Sequence, residues 1–264
     1  MLGGMTHLTR RGSRLNITPE EARQLHKEGR GHELHGSVHS EHVGDFVFGG
    51  IDGVVTTFAV VAGVAGASLS PVVVLILGLA NLLADGFAMG VGNYLSIRSE
   101  RERYDKERQR ESWEIDNIPE VERKEVEEMY RQKGLSGEAL TAVVNAITSD
   151  KERWLDTMMQ EELGLTLETR SPLKGGLVTY TAFILIGFVP LFSFVLALFM
   201  PTLAEHTFFL SVILTAVALF GIGALKTLVV QRSLWRSGME TLLMGSLAAL
   251  VAYVVGYLLS GLAT

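Results

Sequence analysis

Hydrophobic and polar positions along the chain are segregated into long blocks. Five of them, Phe46 to Ala67, Val72 to Ile97, Gly176 to Met200, Phe208 to Val230 and Met239 to Leu262, are dominated by apolar residues. A helix crosses the hydrocarbon of a bilayer with about 20 residues, at about 1.5 Å each. Each block is long enough, so the pattern predicts five membrane-spanning helices. Between the second and third blocks the pattern inverts: Arg98 to Gly175 holds 33 of the 52 charged side chains, 14 basic and 19 acidic. Such a segment belongs in water. The expected organisation is an N-terminal segment over 1–44, spans one and two over 45–97, a polar insert over 98–175 and spans three to five over 176–264.

The insert reads as three helices. A charged run from Ile97 to Ile115 continues span two and stops near Asn117-Ile118-Pro119, since proline and the residue before it oppose helix continuation. Pro119, followed by Glu120, Glu122 and Glu125, starts a second helix that Gly134 ends. Ser136 opens a third, with Leu140, Val143, Val144 and Ile147 as its apolar stripe and Gly164 as its stop. The predicted fold class is thus all-α: five transmembrane helices with a three-helix insert between helices two and three.

Composition adds exclusions. The mean hydropathy of +0.29 would by itself suit a moderately apolar soluble protein; the segregation overrides it. With zero cysteines, the chain has no disulfide scaffold, no cysteine-based zinc or iron–sulfur site and no thiol catalysis. A net charge of -6 gives no reason to expect nucleic acid as a partner. Residues 1–42 are polar and contain no apolar core of a cleavable signal peptide.

Basic residues set the orientation. Arg10, Arg11, Arg14, Lys27 and Arg30 precede span one, Arg98, Arg101 and Arg103 follow span two, Lys174 precedes span three, and Arg232 and Arg236 separate spans four and five. The connections at Ser68 to Pro71 and Pro201 to Thr207 carry no Lys or Arg. Basic loops stay in the cytoplasm. The N-terminus and insert are therefore expected there, with the C-terminus outside.

The acidic residues of the insert are spaced for chemistry. Glu111 and Glu114 are three apart, as are Glu122 and Glu125, and Met158 and Met159 stand four and three residues before Glu162. Such spacing puts side chains on one helix face. Clustered carboxylates repel unless a cation lies between them, and thioethers beside them bias a site toward Fe²⁺ or another first-row ion over Mg²⁺ or Ca²⁺. A plainer reading stands beside this one: Glu is common on solvated helices, Arg108, Arg110, Arg123 and Lys124 are near enough in sequence to neutralise it, and Met often fills cores.

Within the apolar blocks, Asp52, Asp85 and Met89 stand out. A carboxylate in hydrocarbon costs about 2.5–3.5 kcal/mol on insertion scales, so it is expected to face a cavity, a partner or an ion path. Asp52 and Met89 fall at similar depth, ~10 and ~12 Å from the cytoplasmic ends of antiparallel spans. Asp45, two turns before Asp52, and Glu41 are placed to form an entrance. The ten glycines between Gly44 and Gly92 suit close helix packing. His32, His35, His39 and His42 are interrupted by Gly36, and no histidine occurs between His42 and His206, which argues against a ferritin-type di-iron oxidase.

Four motifs together resemble the vacuolar iron transporter family: His39-Ser40-Glu41-His42, Gly49-Gly50-Ile51-Asp52-Gly53, Ala84 through Tyr94, and Met158-Met159-Gln160-Glu161-Glu162. The likeness covers about residues 39 to 262. It implies a homodimer of five-span subunits that exports Fe²⁺, and with it ions such as Mn²⁺, Co²⁺ or Zn²⁺, from the cytoplasm in exchange for protons. No permanent cofactor and no enzymatic activity are implied. The family's cytoplasmic ligands fall on Glu111, Glu114, Glu122, Glu125, Met158, Met159 and Glu162, and its membrane aspartate and methionine on Asp52 and Met89. Glu41 and Asp45 match its acidic approach, while Asn81, Ala88 and Asn93 depart from its usual residues. The compact chain points to a bacterial inner membrane. Two other functions remain compatible with the sequence, a membrane-anchored metal buffer or sensor and a membrane scaffold.

Overall fold

The computed structural model describes residues 42–227 and 233–262, together with Arg23, Gln24 and Lys27. Residues 41–264 form one compact unit. The described residues are helical with short connections and no strand. We number the helices of this unit α1 (Val43–Gly66), α2 (Pro71–Asn117), α3 (Pro119–Gln132), α4 (Gly137–Thr148), α5 (Lys151–Thr157), α6 (Pro172–Gly187), α7 (Val189–Phe199), α8 (Thr207–Leu225) and α9 (Leu234–Leu259).

Helix α1 is the hub, packing against α6, α9, α2 and α8. Small residues permit this. A side chain at Gly49 would meet the Thr179 carbonyl of α6, and one at Gly53 the Phe183 carbonyl, so the two backbones touch without intervening side chains. Phe58, Val61, Leu82, Phe183, Leu191 and Phe194 fill the apolar core around the hub. The outward faces remain apolar, with Phe87, Leu185, Val217 and Leu258 all exposed. Among the described residues four helices are long and apolar enough to cross a membrane, and a fifth span forms if α6 and α7 are taken together. This is a membrane protein.

The predicted third span, Gly176 to Met200, is not straight. It begins at Pro172 and bends by 48° between α6 and α7. Pro190 lies in the first turn of α7, where its missing N–H and its ring prevent α6 from simply continuing. Helix α8 runs to Leu225 and the last helix starts at Leu234; the end of the predicted fourth span, residues 228–230, lies outside the described residues.

Helix α2 has 47 residues and is ~70 Å long, more than twice the ~30 Å of bilayer hydrocarbon, so its distal half stands clear of the apolar layer. That half carries the insert. It packs on α3 and α5, while α3 packs on α4 and α4 on α5. Pro119 starts α3 as expected, and Gly134 (φ 92°) and Gly164 (φ 62°) end their helices in the left-handed conformation glycine tolerates. The predicted third insert helix is instead two. Ser149 closes α4, and the Asp150 carboxylate accepts the Arg153 N–H at 2.9 Å to cap α5. Helix α5 then widens into a π-helical turn over Met158–Glu162.

Candidate metal centre and membrane carboxylates

The break at Ile118-Pro119 folds α3 back beside the end of α2 and brings two acidic pairs together. One carboxylate oxygen from each of Glu111, Glu114 and Glu122 lies within 4.8 Å of the others. Glu111 and Glu122 are 5% and 3% exposed, and the Oε2 atom of each has no hydrogen-bond partner. Buried carboxylate oxygens are normally paired, so these two unpartnered atoms belong to an acceptor set suited to a cation.

Two of the three nearby arginines are engaged elsewhere. Arg108 bridges Glu152 at 2.5 Å and Asp156 at 2.7 Å, tying α2 to α5. Arg123 donates to Thr148 at 2.6 Å and Asn145 at 2.5 Å, tying α3 to α4. Arg110 alone of the three reaches the cluster, at Glu114, 3.2 Å away. The basic neighbours thus mostly build the insert's scaffold.

Burial comes first, and the charges of Glu162, Glu114 and Glu125 add to it, in pushing the Glu111 carboxyl from 4.5 up to about 7. Burial likewise raises Glu122 to about 7, with Glu125, Glu111, Glu114 and Glu162 contributing. Glu162 is also raised, by burial and by Glu125 and Glu114. All five glutamates named by spacing therefore share one electrostatic neighbourhood. Met158 and Met159 are fully buried in the insert's core beside Ile115, Val126 and Leu155. The π-helical turn carries both of them and Glu162, and such turns change the facing of side chains over a single turn. A site that combined the carboxylates with these thioethers would suit a first-row divalent ion.

The membrane carboxylates fall into two environments. Asp52 lines an open cavity of about 380 Å³ between α1, α8 and α9, with Lys226, Glu240, Thr241 and Met244 on its other walls. The Asp85 charge lies within electrostatic reach of Asp52. Met89 is half-buried on the apolar core and is not part of that cavity's lining. Asp45 is different. It is buried, its Oδ1 accepts from Asn93 at 2.9 Å and pairs with Arg170 at 3.3 Å, and its Oδ2 lies 3.2 Å from His42 Nδ1. Arg170 in turn clasps Glu168 and holds that carboxyl down at about 2. Glu41, His32, His35 and His39 lie outside the described residues.

Arg170, Lys226 and Glu240 were not singled out by sequence reasoning. Arg170 and Asp45 are 125 positions apart, and no local spacing reports such a pair. Lys226 sits at the C-terminal end of α8, where a basic charge is ordinary, and Glu240 lies in the second turn of α9.

A bundle of membrane-crossing helices with a stalked acidic centre outside the apolar layer and carboxylates within it defines an ion-handling membrane protein. The chain matches the model of the VIT family over residues 43–257, and it belongs to that family. It is similar to a vacuolar iron transporter of Toxoplasma gondii, 40% identical over 86% of this chain and 77% of the relative. Vacuolar iron transporter 1 of Arabidopsis thaliana is 34% identical, over 91% of this chain and 94% of the relative. The vacuolar iron transporter of Plasmodium berghei is 31% identical over 91% of each.

Proposed function

We propose that the protein carries Fe²⁺, and other first-row divalent ions of similar chemistry, out of the cytoplasm in exchange for protons, working as a homodimer. The observation that carries this reading is the cluster of Glu111, Glu114 and Glu122, in which Glu111 and Glu122 each keep a buried oxygen without a partner; Glu111 and Glu114 stand on α2, the helix that also carries Asp85 within electrostatic reach of Asp52. The relatives' name, vacuolar iron transporter, supplies the ion.

In this reading the insert collects the ion with Glu111, Glu114, Glu122, Glu125 and Glu162, assisted by the Met158 and Met159 thioethers. Glu41 and Asp45 form the approach, and Asp52, Asp85 and Met89 serve the passage through the bilayer. A carboxylate does not hold a proton and a divalent ion together, so protonation of Asp52 from the far side expels the metal and couples the two flows. A second copy also gives cover to Asp52, whose half-exposed face on α1 would otherwise be costly in lipid.

The test is uptake by proteoliposomes under a pH gradient. Wild-type protein should accumulate radiolabelled Fe²⁺, and Asp52→Ala should fall to the rate of empty vesicles. Undiminished transport by Asp52→Ala removes that residue from the pathway. Metal binding without any uptake by the wild type would mark an anchored buffer instead.

A further inference from the structure

We infer that Arg170 is a tethered cation that occupies Asp45 at the entrance of the pathway and that an incoming divalent ion must displace; this rests on the transport reading above. The Asp45 side chain is 6% exposed, so its charge requires a positive companion at all times. Arg170 supplies it at Oδ1 from the loop that joins the insert to α6, while the His42 ring lies 3.2 Å from Oδ2.

The loop is built to present that guanidinium. Arg101 of α2 donates to the Glu168 carbonyl at 3.0 Å and to the Thr169 carbonyl at 2.8 Å, fixing the loop to the stalk. Glu168 then grips Arg170 through Nε at 3.1 Å and Nη2 at 2.7 Å. The contact with Asp45, at 3.3 Å through Nη1, is the longest of the ion pairs Arg170 makes. Arg170 can therefore release Asp45 while Glu168 retains it, leaving the buried carboxylate to a cation of higher charge density. A monovalent ion offers no such advantage over a guanidinium, so the exchange favours divalent cargo.

Asn93 and Thr179 lie just inside this contact. Asn93 Nδ2 donates both to Asp45 and, at 2.8 Å, to Thr179 Oγ1, and Thr179 is fully buried. Because the chain contains no cysteine, a single Thr179→Cys substitution reports access to this point without background.

The experiment measures modification of full-length Thr179→Cys protein, in membranes, by an impermeant thiol reagent applied from the cytoplasmic side. With Arg170 present, labelling should be slow without metal and at least about tenfold faster with Mn²⁺, because a contact closed about nine-tenths of the time masks the site about tenfold. Adding Arg170→Gln should make labelling fast with or without Mn²⁺, and Arg170→Lys should restore part of the metal dependence. Slow labelling in Arg170→Gln, or labelling of the parent that ignores Mn²⁺, overturns the proposal. As a second readout without the cysteine, Arg170→Gln should lower the KM for Mn²⁺ uptake at least about threefold with Vmax kept. An unchanged KM with a reduced Vmax would mean that the arginine is only a brace. If the wild type moves no metal, the transport reading fails while the labelling still decides the fate of Arg170.

Discussion

Glu111 on α2 and Glu122 on α3 meet across the Pro119 turn, both buried and each with one oxygen that no donor reaches. Their carboxyls are raised to about 7, so the folded metal-free protein retains protons that an unfolded chain releases near its ordinary 4.5. The stability this contributes is complete below about pH 4.5 and is lost as pH rises through about 7. Thermal unfolding of the full chain in chelator should therefore give a lower Tm at about pH 8 than at about pH 5.5. Mn²⁺ should recover the loss at the higher pH and do little at the lower, where protons compete for the same oxygens. A chelator Tm that climbs with pH across this range would contradict the assigned shifts.

Replacing both groups separates charge from packing. Glu111→Gln with Glu122→Gln keeps the volume while removing the titration, so the Tm in chelator should lose most of its dependence on pH. Calorimetry on the full chain should show at least about tenfold weaker Mn²⁺ binding, since a divalent ion would lose two of its charged oxygen ligands. Retention of wild-type affinity would place the metal elsewhere.

Much of this was legible in the sequence, because membrane insertion and helix stops are written in contiguous residues. The apolar blocks announced the spans, Pro119 and Gly164 announced helix ends within the insert, and three-residue spacings marked the glutamates of which α2 and α3 bring Glu111, Glu114 and Glu122 together. The split between α4 and α5 was readable in principle from Ser149-Asp150, a helix-capping pair that a longer apolar stripe obscured. The bend before α7 also had its signal in Pro190. What sequence did not disclose was long-range pairing: Asp45 was expected at an open entrance, and its contact with Arg170 depends on a loop returning from the far end of the insert. Nor does spacing reveal that Arg108 and Arg123 are committed to the scaffold while Arg110 pairs with Glu114 of the cluster.

The close seam between α1 and α6 should tolerate no side chain. A Cβ at Gly53 meets Phe183 backbone atoms, which cannot rotate away, whereas one at Gly44 or Gly92 meets nothing within 4 Å. Gly53→Ala should therefore destabilise the bundle by about 1–3 kcal/mol through overpacking, seen as a reduced Tm in detergent. Gly44→Ala and Gly92→Ala serve as controls and should stay close to wild type. Equal melting of all three would show that the helices separate at no cost.

The methionines discriminate between a filled core and a ligand set. Met158 and Met159 are fully buried beside Ile115 and Val126, and leucine nearly matches their volume, so Met→Leu at either position should cost less than about 1.5 kcal/mol. Leucine has no lone pair to offer a metal. If the thioethers serve only packing, calorimetric affinities for Co²⁺, Mn²⁺ and Mg²⁺ should be unaltered. If they ligate, the double substitution should weaken Co²⁺ more than Mg²⁺, because sulfur contributes to the softer ion and hardly at all to one that prefers oxygen. Ligation is the expected result, since the π-helical turn places both sulfur-bearing residues in the same five-residue segment as Glu162. A parallel loss for every ion, accompanied by a fall in Tm, would instead assign the two residues to the core alone.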